Sequence, residues 1–351
     1  MDTTLNPQPH NHPLNKAIHH TNYHPNSENL DKRNIKATFI YSEGTAEHLE
    51  VSDIPKALER TDGFVWIHIH SATPQKIIYA IPTIPKYIAR SLSASETRPR
   101  AEATPEGLLL NLRCLNPDHI HHENEPLDMI SLRLWINEKI IVSVHRKPLE
   151  FMGKLLNQVN EDILVTNSMD ILRLMLEAII EVMSDLAIDL NEQMDLLEDS
   201  KEHVHDKRRK LSENRREIIS VRRYLIPQRE ALLRLPFDKL PWLGDLQKIS
   251  LRESADSTTR ILEDLESARD RANLLQEELM NATQEQINNK IFLLSIVAVI
   301  FMPLSFITGL LGINVGGIPG VGNSISFWIV CGILLVLAIS EIFILKFLKW
   351  L

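Results

Sequence analysis

Two long apolar runs dominate the end of the chain, residues 291–311 and 325–345. Each matches the roughly 20 residues a helix needs to cross a hydrocarbon core. The link between them, residues 312–324, is glycine-rich and carries no charge, so the runs predict a membrane hairpin. Upstream, Ile261, Leu265, Ala268, Ala272, Leu275, Leu279 and Ala282 alternate four- and three-residue spacings, which predicts the seam of a self-associating helix. Between Ser250 and Pro303 the chain has neither proline nor glycine. The stalk therefore continues into the first apolar run as one helix of roughly 60 residues, about 90 Å long. Before it, Met175, Ile179, Val182, Leu186, Leu190, Met194 and Leu197 mark another apolar helix stripe, and Pro236 and Pro241 end the helix pair built on it.

The pattern changes ahead of residue 162. Segments 36–41, 64–70, 108–112, 129–136 and 139–145 are short and rich in β-branched or aromatic residues, while 73–81 and 148–158 read as helices. The fold class is α+β: an N-terminal α/β cytoplasmic domain with a mixed sheet, a long helical stalk and a C-terminal two-helix transmembrane hairpin. The expected boundaries are a tail at 1–35, the α/β domain at 36–165, helices and stalk at 166–290, the hairpin at 291–345 and a basic tail at 346–351. The tail reads as a disordered polar segment whose His10, His12, His19, His20 and His24 are incidental, with metal collection as the alternative. It has no apolar core and does not read as a signal peptide.

Composition narrows the classes. A net charge of −8 argues against nucleic acid and suits a cation-attracting vestibule. Two cysteines, Cys114 and Cys331, supply no disulfide framework and point to a reducing cytosol. There is no Gly-x-Gly-x-x-Gly or P-loop, and no clustered nucleophile, base or metal triad, so neither an enzyme nor a prosthetic group is expected. Lys290 flanks the first run and Lys346 and Lys349 the second, so the positive-inside rule places both termini in the cytoplasm and the link outside.

Four groups of residues carry candidate chemistry. Asn288, Ser295, Met302 and Gly309 fall seven apart on the first apolar helix, with Ala298 and Ser305 on adjoining rows and Leu304 on another side. A polar stripe in hydrocarbon must face protein or water. It reads as a pore face, or as ordinary packing of small residues. On the same helix as the Met175–Leu197 stripe, Asp185, Asp189, Glu192, Asp195, Asp199, Glu202 and Asp206 form a second stripe of similar period. They attract cations, with Asp189, Glu192, Asp199 and Glu202 as regulatory metal candidates, or they form a solvated face paired with the basic run at 207–210. Glu341 lies inside the second run; a local pair with Lys346 is expected, and proton coupling is the alternative. His68 and His70 share one strand face as satisfied or solvated polar groups, or as paired metal ligands.

The hairpin also resembles a known family. Phe301-Met302-Pro303-Leu304 leading into Gly312-x-Asn314 is similar to the signature of CorA-type divalent metal ion transporters, which end their first membrane helix in Gly-Met-Asn. Here Ile313 takes the middle place and Gly-Gly-Ile-Pro-Gly follows, which resembles the ZntB-like zinc branch. Glu96-Thr97-Arg98-Pro99-Arg100 and the segment from Gly107 to Arg113 resemble that branch too. The resemblance implies a funnel-shaped homo-oligomer, five subunits by family, in a bacterial inner membrane. Gly312, Ile313 and Asn314 would form the filter, Asn314 meeting the ion's hydration shell. Met302 would be a hydrophobic constriction, Ser295 and Ser305 polar rungs, and Asn288 the inner mouth. Zinc is the expected cargo, with magnesium, cobalt or nickel as alternatives, taken up with the membrane potential or a proton gradient. The competing class is a membrane-anchored structural coiled coil, which has no reason to align the polar stripe. The uncharged link departs from CorA relatives that carry an acidic residue there.

Overall fold

The computed structural model describes residues 34–95, 98–115, 129–161, 165–235, 240, 242–313, 315, 316, 318, 320 and 322–348. The tail histidines, Glu96, Thr97, Pro236, Pro241, Asn314 and Lys349 lie outside the described residues. Two compact units are present. One runs to Gln193 and resumes over Asn214–Arg269; the other joins Met194–Glu213 to the chain from Asp270 onward.

In the first unit, β1 (Ile35–Tyr41), β2 (Ala46–Leu49), β3 (Gly63–His70), β4 (Arg100–Thr104), β5 (Gly107–Cys114), β6 (Ile130–Ile136) and β7 (Ile140–His145) form one sheet. Their order is β2-β1-β3-β7-β6-β5-β4. Among the described strands β3 and β7 run parallel and the other neighbours antiparallel, so the sheet is mixed, as expected. The edge strands β2 and β4 had no sequence signal. They are short and largely polar, and their register comes from pairing with β1 and β5 rather than from their own side chains. At Gly107 φ is +138° and a Cβ would stand 2.3 Å from the Ile136 carbonyl oxygen, so the turn into β5 requires glycine.

Three short helices, α1 (Ile54–Leu58), α2 (Gln75–Tyr79) and α3 (Lys86–Ser93), cover one face of the sheet. Ile77, Ile78, Ile88 and Leu92 pack there with Val65, Ile67, Val142 and Val144. Only α2 was expected from the pattern, because α1 and α3 are too short to show a helical period. Toward the opposite face come α4 (Glu150–Glu161), whose Met152 and Leu156 border a pocket with His68 and His145, and α6 (Val204–Leu233), whose Gln228 accepts from the Arg113 backbone N–H at 2.7 Å.

The three long helices are α5 (Ser168–Asp199), α6 (Val204–Leu233) and α7 (Asp245–Leu311). The expectation that the 4-3 seam of α7 joins separate chains is overturned. Ile261, Leu265 and Ala268 are buried in the first unit and Ala272, Leu275 and Leu279 in the second, each within a single chain, while Ala282 is exposed. The α5 stripe, Met175, Ile179, Leu186 and Leu190 in the first unit and Met194 and Leu197 in the second, is buried too. Heptad spacing demands an apolar partner but does not specify whose helix supplies it, and here the chain's own helices do.

A buried polar network crosses β3 and β7. Trp66 Nε1–H donates to Ser143 Oγ at 3.0 Å, and Ser143 Oγ lies 3.0 Å from His68 Nδ1. His68 Nε2 faces His145 Nε2 at 3.2 Å, and His145 Nδ1 is 2.6 Å from the Lys147 carbonyl oxygen. A carbonyl only accepts, so His145 carries its hydrogen on Nδ1 and offers a lone pair at Nε2. His68 must then donate from Nε2 and accept the Ser143 hydroxyl at Nδ1. Burial pushes His145 down to about 4, aided by the neighbouring His70 charge and opposed by the Lys147 hydrogen bond. Burial also holds His68 well below the usual histidine range, with the charges of His145, His70 and Lys36 adding to it.

A lowered folded-state pKa favours the neutral ring, so the stabilisation is complete above the unfolded value near 6.5 and is lost as pH falls toward 4. For His145 the loss reaches about 2 kcal/mol by pH 5. Denaturant unfolding of the purified protein should show this decline between pH 7 and pH 5. A His145→Gln variant should start less stable and lose less over the same interval.

Candidate functional site

Within the second unit, α7 carries the first apolar run and α8 (Ser326–Phe347) the second. Both are long and apolar enough to cross a membrane. α7 runs through Pro303, whose missing N–H leaves the Val299 carbonyl without its helical donor. The shielded positions of each helix line up on one side. On α7 they are Ile296, buried, with Ile300, Pro303, Leu304 and Ile307 half-buried. On α8 they are Leu345, buried, with Leu334, Leu337, Ala338 and Glu341 half-buried.

The expected stripe is on another side of α7. Asn288, Ser295, Ala298, Met302, Ser305 and Gly309 are all exposed, and Met302 is 70 % exposed. At 100° per residue the row through Ser295 and Met302 sits roughly 140° around the helix from the shielded row. Leu304 lies on the shielded side, as expected. The same seven-residue row extends upward through Asn281 and Leu274, both exposed. Sequence reading stopped the row at Asn288, although its period continues unbroken above that residue. Along the row Asn288 Oδ1 accepts from Gln284 Nε2 at 2.9 Å, and Ser295 Oγ donates to the Ile291 carbonyl at 2.9 Å. The serine hydroxyl is thus satisfied by its own helix while its lone pairs stay open to the exposed side.

Beyond α7 the chain turns tightly. The Gly312 N–H is shared between the Thr308 and Gly309 carbonyls at 2.9 and 3.2 Å, which closes the helix immediately before Ile313. Gly320 has φ +87°, and a Cβ there would meet Ser326 Oγ at 2.6 Å. Asn323 Oδ1 accepts from the Ile325 N–H at 3.1 Å and sets the entry to α8. Asn314 itself is outside the described residues.

Two electrostatic expectations are corrected. The seven carboxylates do not share one helix: α5 stops at Asp199, Glu202 lies in the connection and Asp206 in the first turn of α6. Glu202 pairs with Lys210 at 2.6 Å, and Arg271 bridges Asp195 and Glu198, 2.6 Å from the latter. Hydrogen bonds that Arg271 donates to Glu198 and then to Asp195 hold its pKa above the ordinary value. Asp189 accepts from Gln193 at 2.8 Å, while Glu192 and Asp199 are exposed. Among the described residues no three His, Cys, Asp or Glu side chains converge to hold a metal.

The second correction concerns Glu341. It forms no pair with Lys346, and its Oε2 is buried without a hydrogen-bond partner. Helix neighbours sit three or four residues apart, and a separation of five turns the lysine away.

The sequence matches the family described as "CorA-like Mg2+ transporter protein" over residues 61–346. The chain belongs to this family of divalent-cation transporters. It is 32% identical over 289 residues to the zinc transport protein ZntB of Pectobacterium atrosepticum, covering 82% of this chain and 88% of that protein. The zinc transport protein ZntB of Enterobacter sp. is 28% identical, with 90% and 96% covered. Among solved structures, full-length CmaX is 28% identical with a TM-score of 0.73, covering 92% of this chain and all of that one. The CorA magnesium transporter from Methanocaldococcus jannaschii is 16% identical with a TM-score of 0.71, covering 90% and 98%, and supports the fold alone.

Proposed function

We propose that the protein is a homo-oligomeric, zinc-preferring divalent-cation transporter of a bacterial inner membrane, with both termini cytoplasmic and the Gly-Ile-Asn link outside. The observation that carries this reading is the exposed row Leu274, Asn281, Asn288, Ser295, Met302 and Gly309 on α7. The side of α7 through Ile296 and Leu304 is shielded and its seam is filled by the chain's own helices, so the row is the surface left for other copies. A strict seven-residue row keeps facing one axis when helices supercoil left-handedly. Five copies around that axis is the number implied by resemblance to CorA-type proteins. Each row would then line a path of amides, hydroxyls and one thioether ring.

Zinc is supported by relatives named for zinc transport. The row itself holds no nitrogen or sulfur ligand of the kind zinc prefers, so the ion crosses with its water shell, touched by Asn314, Asn288, Ser295 and Ser305. That same lack favours the second reading, a magnesium or cobalt channel, since hard hydrated cations suit oxygen-lined paths. Inward movement of a divalent ion across 100 mV gains about 4.6 kcal/mol, twice the roughly 2.3 per elementary charge. Uptake therefore needs no nucleotide. Flux into liposomes compared across zinc, magnesium, cobalt and nickel decides between the readings; magnesium flux far above zinc flux rejects the zinc preference.

Asn314→Ala should cut flux at least tenfold with the oligomer intact by size exclusion, because the amide meets the ion rather than the fold. Wild-type flux in an assembled variant removes the filter role. Met302→Ala should raise flux or weaken gating, because a ring of thioethers obstructs a hydrated cation. Leu304→Ala should instead lower thermal stability with flux per oligomer unchanged. Equal effects at the two positions mean that another face lines the path.

Neutralising Asp189, Glu192, Asp199 and Glu202 together should lower transport or its metal regulation, most strongly at low ionic strength where screening is weak. No change at any salt concentration identifies a solvated face. Glu341 is the candidate for proton coupling: Glu341→Gln should abolish the dependence of zinc uptake on an imposed pH gradient while leaving voltage-driven uptake. Unaltered pH dependence assigns the carboxylate no coupling role.

A further inference from the structure

The histidines of β3 and β7 lie far from the α7 row in sequence and belong to the other compact unit. They border a pocket of about 190 Å³ whose lining includes Lys36, His68, His70, His145, Leu149 and Met152. His68 and His145 are 6 % and 2 % exposed, and the His70 ring stacks on His145 at 4.7 Å. Two features separate this arrangement from an ordinary buried histidine. The two Nε2 atoms face each other at 3.2 Å. Two nitrogens bound to one tetrahedral zinc at 2.0–2.1 Å lie about 3.3 Å apart, so the spacing is already that of a ligand pair. The Nδ1 atom of each ring is held by an oxygen, Ser143 Oγ for His68 and the Lys147 carbonyl for His145. That is the outer support by which metal-ligating histidines are oriented.

We propose that His68 and His145 form a zinc site on the sheet domain, with paired Nε2 ligands and water from the adjoining pocket completing the tetrahedron. Binding exchanges a hydrogen bond for a metal. The proton on His68 Nε2 moves to its Nδ1 and is donated to Ser143 Oγ; the serine O–H, which until then donated to that Nδ1, rotates away, and the oxygen accepts from both Trp66 and His68. His145 already presents its lone pair and needs no change. Both rings stay neutral, which suits them as ligands in a buried place. Nitrogen donors favour zinc over magnesium, which demands oxygen. Lys36 stands beside His68 in the β1–β3 register, and its charge opposes a second cation there. Zinc occupies this site whether or not the α7 row conducts.

The test uses the full-length protein, stripped with a chelator and titrated with zinc against a colorimetric competitor. The tail histidines are present in every variant, so differences report this site. His68→Gln should remove one zinc per chain from the tight class. Ser143→Ala, which keeps both Nε2 ligands but loses the oxygen that supports His68 and accepts from Trp66, should weaken that zinc about 10- to 100-fold. Lys36→Ala should tighten it several-fold, and millimolar magnesium should not displace it. The wild-type-minus-His68→Gln zinc X-ray absorption spectrum should contain nitrogen neighbours at about 2.0–2.1 Å. Titrations of Ser143→Ala and Lys36→Ala that superpose on the wild type overturn the site, even if His68→Gln fails to fold. A difference spectrum with oxygen neighbours alone overturns it as well.

Discussion

The constraint on which the rest depends is the division of labour around α7. One uninterrupted helix of 67 residues carries an apolar seam, a shielded membrane side and an exposed polar row. In hydrocarbon the backbone must satisfy itself, so the lower part can only be helical. Once the side of α7 through Ile296 and Leu304 is shielded, and the chain's own helices fill the seam, the remaining surface follows by elimination. It is the row that places Asn288, Ser295 and Met302 outward.

The path proposed along this row carries no strong zinc ligand, and transport gives a reason. A transported ion must be held firmly enough to enter and loosely enough to leave. Asparagine amides and serine hydroxyls meet a water shell weakly, whereas histidine or thiolate would hold zinc. Nitrogen ligands belong instead to the proposed site of the sheet domain, where residence time does not limit flux. The His68–His145 pair is rigid because both Nδ1 atoms are anchored, and neutral because burial penalises the charged rings.

Much of the candidate site was legible beforehand. Gly312-x-Asn314 between two apolar runs, and the seven-residue spacing from Asn288 to Gly309, are local patterns readable without a fold. Glu341 was visible as a carboxylate in an apolar run, and the five-residue separation that turns Lys346 away is itself readable from helical periodicity; the burial of its Oε2 without a partner was not. His68 and His70 stood out on one strand. His145 did not, since only the parallel β3–β7 register brings it beside them. The carboxylate stripe looked continuous because its period carries across the connection at 200–203 that separates α5 from α6.

The sequence by itself determined what depends on neighbours along the chain. This includes the two membrane-length helices, the uninterrupted stalk, the main strands of the sheet and the polar row. Each follows from periodicity, length or the absence of helix breakers. The tertiary structure alone decided which partner each face receives. It made the 4-3 seam internal, added the edge strands β2 and β4 through pairing, and buried the Glu341 Oε2 without a partner. It also brought His145 to His68. The physical reason is common to all four: an apolar face or a polar atom states its need for a partner locally. The partner that meets the need is chosen by packing between segments distant in sequence.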